Sequence, residues 1–227
     1  GMGSAMSPTT AAAMASVPVQ KAGVGSAVIN AMRQIGGTLG GPIVKDKVHY
    51  FASYEYEREP GTTFANPSLL PTQSFSIPYQ NGQKSFLARV DDQLTSANRL
   101  SVRGSRWNWA NPYLLPTGGA EHPSHASDQT KDATNVLGTW SSVMGGGNRI
   151  LEVTGGYNGF HWTNAPQDQL LGTREYRVPG LNFGAPYNYP QTLNQNNWTG
   201  RADFSVHKEK HDLKMGGEYI HVHNGGP

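Results

Sequence analysis

Seven stretches of the chain, each about ten residues long, alternate apolar and polar side chains, and the connections between them alternate long and short. The first runs over residues 47–58. Val48, Tyr50, Ala52, Tyr54 and Tyr56 fall on one face, and His49, Phe51, Ser53, Glu55 and Glu57 on the other. The pattern returns at 84–94, where Phe86, Ala88 and Val90 oppose Leu87, Arg89 and Asp91, and at 99–109, where Leu100 and Val102 oppose Ser101 and Arg103. It returns again at 132–143, 149–163, 197–207 and 212–223. Residues 59–83, 110–131 and 164–196 are long connections rich in Pro, Gly and Asn; 95–98, 144–148 and 208–211 are short. Long unstructured connections are uncommon in compact domains. Strands of about ten residues with long loops at one end and short turns at the other instead fit a membrane-spanning β-barrel. The expected fold class is therefore mainly β: an antiparallel meander of about seven strands from a partial transmembrane β-barrel, with a short N-terminal helical segment.

Composition agrees. Only 36% of the residues are hydrophobic, too few for a helical membrane protein but suitable for strands with one polar face. A formal charge of +2, with no basic stripe, argues against nucleic acid as a partner. The absence of cysteine excludes a disulfide framework and a cysteine-based zinc site.

Residues 1–35 read differently. The chain carries no charge before Lys21, and Val24, Ala27, Val28, Ala31 and Ile35 follow helical spacing, so an apolar helical domain over 1–35 and a barrel domain over 36–227 are expected. Gly23 and Gly25 do not make a nucleotide loop, because no strand precedes them. No secretory leader is visible, and both ends read as cut. Trp107, Trp109, Trp140, Tyr157, Trp162 and Trp198 are candidates for an aromatic girdle at the membrane interface.

Little in the sequence points to catalysis. His221 and His223 share a strand face and could meet His207 or His211 around a metal, but a polar strand end accounts for them as well. His122 and His125 read as solvated loop histidines, and Asp91 beside Arg89 as an interior charge network. No nucleophile elbow or phosphate loop is present. A non-enzyme with no catalytic, cofactor or metal site is expected.

The stretch GGTLGGPIVKDKVHYFASYEYER, residues 36–58, resembles the early barrel segment of TonB-dependent outer-membrane receptors of the Oar-like group; the likeness continues through 86–103 and 211–219. Within it, Gly36–Pro42 reads as a turn and Lys45-Asp46-Lys47 as a hinge. The resemblance implies a fragment of an outer-membrane receptor for a large extracellular ligand, with outer-membrane lipid as a partner. The TonB system would be reached only through a plug region missing from this chain, and the fragment would be inactive alone. It also implies a larger barrel, of about 22 strands, than seven strands can close. Residues 1–40 are similar to the region entering the last helix of fourteen-helix drug/proton antiporters of the major facilitator superfamily, carried by Pro8, Val17-Pro18, Lys21-Ala22-Gly23, Asn30 and Arg33-Gln34. A chimera joined at GGTLG is the reading that accommodates both. A broken antiporter and a carbohydrate-binding β-sandwich are the alternatives.

Overall fold

The structure is a computed structural model that describes residues 34–114, 120–167, 176–185 and 190–226. Its strands are β1 (Gln34–Val44), β2 (Val48–Ala65), β3 (Phe75–Thr95), β4 (Asn98–Leu114), β5 (Ser127–Met144), β6 (Arg149–Pro166), β7 (Tyr176–Val178), β8 (Leu181–Phe183), β9 (Gln191–Lys208) and β10 (His211–Gly225). Eight of them form one antiparallel meander in the order β1-β2-β3-β4-β5-β6-β9-β10, and β7 and β8 pair as a small separate hairpin. β1 and β10 are the two edges and are not paired with each other.

Four tight turns lie along one rim of the sheet. The β1–β2 turn places Asp46 at φ 58°, and the β9–β10 turn places Glu209 at φ 56°. The β5–β6 turn uses glycines at φ 61°, 69° and 102°, a region that side chains with a Cβ avoid. In the β3–β4 turn, Thr95 Oγ1 accepts the backbone N–H groups of Ala97 at 3.3 Å and Asn98 at 3.1 Å. The three long connections lie along the opposite rim. The alternation of short and long connections read from the sequence is thus present.

Three expectations are corrected. The main sheet has eight strands rather than about seven, because the stretch 36–42 is not a turn but most of β1, paired from Gln34↔Glu57 to Val44↔Val48. Glycine weakens a strand on its own, but at Gly40 it permits close approach to β2: a Cβ there would lie 3.0 Å from the Tyr50 carbonyl oxygen and 3.4 Å from the Phe51 ring. The strands are also longer than about ten residues, reaching 21 in β3. Much of what reads as loop at 59–83, 110–131 and 164–196 is strand. Finally, the boundary at 35 cuts through β1; the expected helical segment otherwise lies outside the described residues.

Register separates two faces. One rung of the first face runs Leu39, Ala52, Ala88, Gly104, Val136, Tyr157, Trp198, His221 across all eight strands. The next rung toward the tight turns runs Gly41, Tyr50, Val90, Val102, Gly138, Gly155, Gly200, Tyr219. Large apolar side chains on this face are widely exposed, Trp198 at 58% and Tyr219 at 70%. Among the described residues the only buried hydrophobics are Ala65 and Ala126. The main sheet therefore has no second sheet packed on it among the described residues, which counts against the β-sandwich alternative. Its apolar face needs an apolar solvent instead.

Beyond Tyr157, toward the long connections, this face turns polar, first at Arg106, Thr134 and Asn196 and then one rung further out. Lys84, Asn108, Asp132, His161 and Asn194 share that rung. A strand of 18 residues tilted by 45° rises roughly 40 Å, more than the roughly 30 Å of a hydrocarbon core. The strands thus continue beyond the apolar band as a sheet with two wet faces.

Candidate functional site on the polar face

The second face carries most of the charged and amide side chains, and its rungs differ sharply in chemistry. Near the tight turns, Asp91 Oδ2 accepts from Arg89 Nε at 2.8 Å and Asp91 Oδ1 from Arg99 Nη2 at 3.1 Å. Arg103 joins these two arginines around a cleft of about 350 Å³. This is the charge network expected of Arg89 and Asp91. On the same face, four strands away in β9, Asp203 accepts from Arg201 Nε at 2.5 Å.

Higher up the same face, Ser105, Asn135, Asn158 and Asn197 form one rung. Above it come Glu55, Ser85, Trp107, Ala133, Phe160 and Gln195, and then Glu57, Gln83, Trp109, Lys131, Trp162 and Leu193. Next are Asn111, Gln129, Asn164 and Gln191, with Glu59 paired to Asn81 on β2 and β3. Aromatic rungs are thus bracketed by amide rungs. Gln83 donates to Glu57, and Gln34 to Glu55. Trp107 Nε1 donates to Gln83 Oε1 at 3.2 Å, and Lys131 Nζ lies 4.6 Å from the centre of a Trp109 ring. A cleft of about 240 Å³ opens between Glu57, Glu59, Asn81, Gln83 and Trp109.

The six aromatic girdle candidates divide between the faces. Trp140, Tyr157 and Trp198 lie on the apolar face, whereas Trp107, Trp109 and Trp162 lie on the polar one. Spacing within each strand carried that information, since Trp107 and Trp109 lie two and four residues from Ser105 but an odd number from Leu100 and Val102.

The histidines do not converge. Register sets His207 against Asp212 beside the tight turn, and His221 against Trp198 far along the strand. His125 is buried rather than solvated, which corrects the sequence reading, and His122 is half-buried. His125 is 3% exposed and its Nδ1 meets Glu121. Glu121 also accepts from Asn182 Nδ2 at 2.8 Å, and the His122 ring meets Phe75 edge-on at 5.0 Å. Backbone bonds from Asn182 to Ala120 (2.7 Å) and from His122 to Asn182 (2.8 Å) tie the β8 strand to this loop. Leu69 N–H bonds to Gly180 at 3.3 Å and brings in the β2–β3 connection. The long connections thereby form a packed cap, held by contacts between residues far apart in sequence.

Residues 64–226 match the outer membrane beta barrel domain family, about seven-tenths of the chain. No curated protein and no solved structure matches. The chain belongs to the outer membrane beta barrel domain family and resides in the bacterial outer membrane. The apolar face of the sheet is the lipid-facing surface and the polar face is the lumen wall. The tight turns lie on the periplasmic side and the cap on the outside. The match begins inside β2 and does not reach the antiporter-like stretch.

Proposed function

Taking membership in the outer membrane beta barrel domain family as premise, we propose that this chain is a sector of the wall of a TonB-dependent receptor and takes part in energised uptake of a large ligand. It is a conduit and not an enzyme. The observation that carries this reading is the luminal wall above the membrane, where aromatic and amide rungs line the approach to the interior beneath a packed cap. The sequence likeness at 36–58, GGTLGGPIVKDKVHYFASYEYER, supports the same reading.

A sheet with two unpaired edges is untenable in lipid, because each exposed backbone group there costs several kcal/mol. β1 and β10 are therefore joined in the membrane by further strands. The partners are outer-membrane lipid, an extracellular ligand and the TonB system reached through a plug; nucleic acid is not among them.

The test is genetic. The encoding gene is deleted in the source bacterium, and depletion of medium components is followed by mass spectrometry with and without a protonophore. Uptake that depends on both the gene and the proton-motive force is the expected result. Depletion unaffected by deletion, or dependent on the gene but insensitive to the protonophore, overturns energised uptake.

A further inference from the structure

We propose that the cleft beside Trp109 on the lumen wall is a subsite for a neutral oligosaccharide; this rests on the receptor reading above and specifies the ligand class. The cleft combines a tryptophan with the carboxylates of Glu57 and Glu59 and the amides of Asn81 and Gln83. A pyranose offers an apolar C–H face for the first and a ring of hydroxyl groups for the rest.

The hydrogen bonding of the wall narrows the choice. Glu57 accepts from Gln83, and Gln83 in turn accepts from Trp107, so this chain of groups is held in one orientation. The carbonyl oxygen of Asn81 lies in the wall with no hydrogen-bond partner. The same is true of Asn111 on the next strand, and of Asn164 and Asn197 on the amide rungs above and below the aromatic ones. All four face the lumen by register. Buried carbonyl oxygens are normally paired, because an unpaired one costs about 1–3 kcal/mol. The groups that line the cleft, the Glu57 and Glu59 carboxylates and the Asn81 and Gln83 amides, are rich in acceptors, and hydroxyl groups donate to them without bringing charge.

Charge excludes the obvious competitor. A phosphate or polycarboxylate would meet Glu55, Glu57 and Glu59 on consecutive inward positions of β2. Lys131, the cation on the Glu57 rung, lies over the Trp109 ring. The aromatic surface also extends past a single sugar, since Trp107, Phe160 and Trp162 occupy the same two rungs on β4 and β6. That length suits a chain of sugars.

The test uses the full-length protein folded in detergent micelles, with maltohexaose and chitohexaose as probes and hexalysine and hexametaphosphate as charged comparators. A saturable change in tryptophan emission with either oligosaccharide is expected, confirmed by calorimetry. Affinity falls at least about tenfold in Trp109→Leu and in Asn81→Leu, and recovers in Trp109→Tyr, which restores the ring. Trp140→Phe, on the lipid face, leaves it unchanged. Heat-modifiable electrophoretic mobility identifies folded variants. No saturable response to either oligosaccharide at about 10 mM overturns the proposal. So does a response to hexalysine or hexametaphosphate alone, or one indifferent to Trp109→Leu in folded protein. If energised uptake holds while oligosaccharides fail to bind, only the ligand class falls. If oligosaccharides bind while uptake ignores the protonophore, the subsite stands and the energised reading falls.

Discussion

Tyr157 on β6 and Trp198 on β9 lie directly opposite each other on the lipid face, their ring centroids 4.6 Å apart and their planes inclined at 48°. One rung further out, the same face already carries Arg106, Thr134 and Asn196, and Tyr157 donates its hydroxyl to Asn196 at 2.6 Å. The pair thus marks the outer border of the hydrocarbon, with apolar ring bodies below and a hydrogen-bonded hydroxyl above.

In single-tryptophan forms of the protein in bilayers, emission from Trp198 and Trp140 should be quenched by brominated lipid. Emission from Trp107, Trp109 and Trp162 should not. Quenching of Trp109 comparable with that of Trp198 would reverse the assignment of faces. Trp198→Ala should destabilise the folded state by about 0.5–1.5 kcal/mol beyond the loss of buried area.

Neighbouring residues on β9 should respond oppositely to the same change. Gly200 lies on the lipid face between Gly155 and Tyr219, whereas Thr199 points into the lumen opposite Gly156. Gly200→Arg should cost about 2–4 kcal/mol in urea unfolding from vesicles, and Thr199→Arg well under half of that. Gly200→Ala is the control: its Cβ meets nothing within 4 Å.

Two adjacent glycines in β10 should also differ. A Cβ at Gly216 would lie 2.5 Å from Asp203 Oδ1 and 2.8 Å from the Ala202 carbonyl oxygen, whereas one at Gly217 meets nothing. Gly216→Ala should therefore destabilise the β9–β10 hairpin by about 1–3 kcal/mol, and Gly217→Ala should be neutral. Hydrogen exchange at β10 amides distinguishes the two.

The cap should loosen without the barrel. Glu121→Ala removes the carboxylate shared by His125 and Asn182, a loss of about 1–3 kcal/mol confined to the long connections. Cleavage in the cap by an added protease should accelerate, while heat-modifiable mobility stays as in the parent. Loss of that mobility would mean that the cap supports the sheet itself.

Legibility in the sequence follows from what surrounds each residue. Where a strand borders lipid on one side and water on the other, side chains must alternate, so Phe86, Ala88 and Val90 on β3 could be placed by eye. Beyond the hydrocarbon both faces meet water, alternation loses its cause, and the outer halves of the strands read as loop. The ends of β4 at Asn111 and of β9 at Gln191 are examples. β1 was hidden for another reason: its glycines favour no strand alone, and its strand state rests on pairing with β2. The luminal rungs were invisible because they exist only through register. Trp109 meets Gln83 and Lys131 across two strand pairings, and no local spacing announces that. The buried state of His125 depends likewise on the β8 strand, far along the chain.

The eight strands of the meander have a consequence of parity. An even number of passes returns the chain to the side from which it started, so β1 begins and β10 ends on the outer rim, below the cap. The two open edges also run in opposite directions. Antiparallel strands inserted between them close the wall only if their number is even, which is the arithmetic that single-chain bacterial barrels obey.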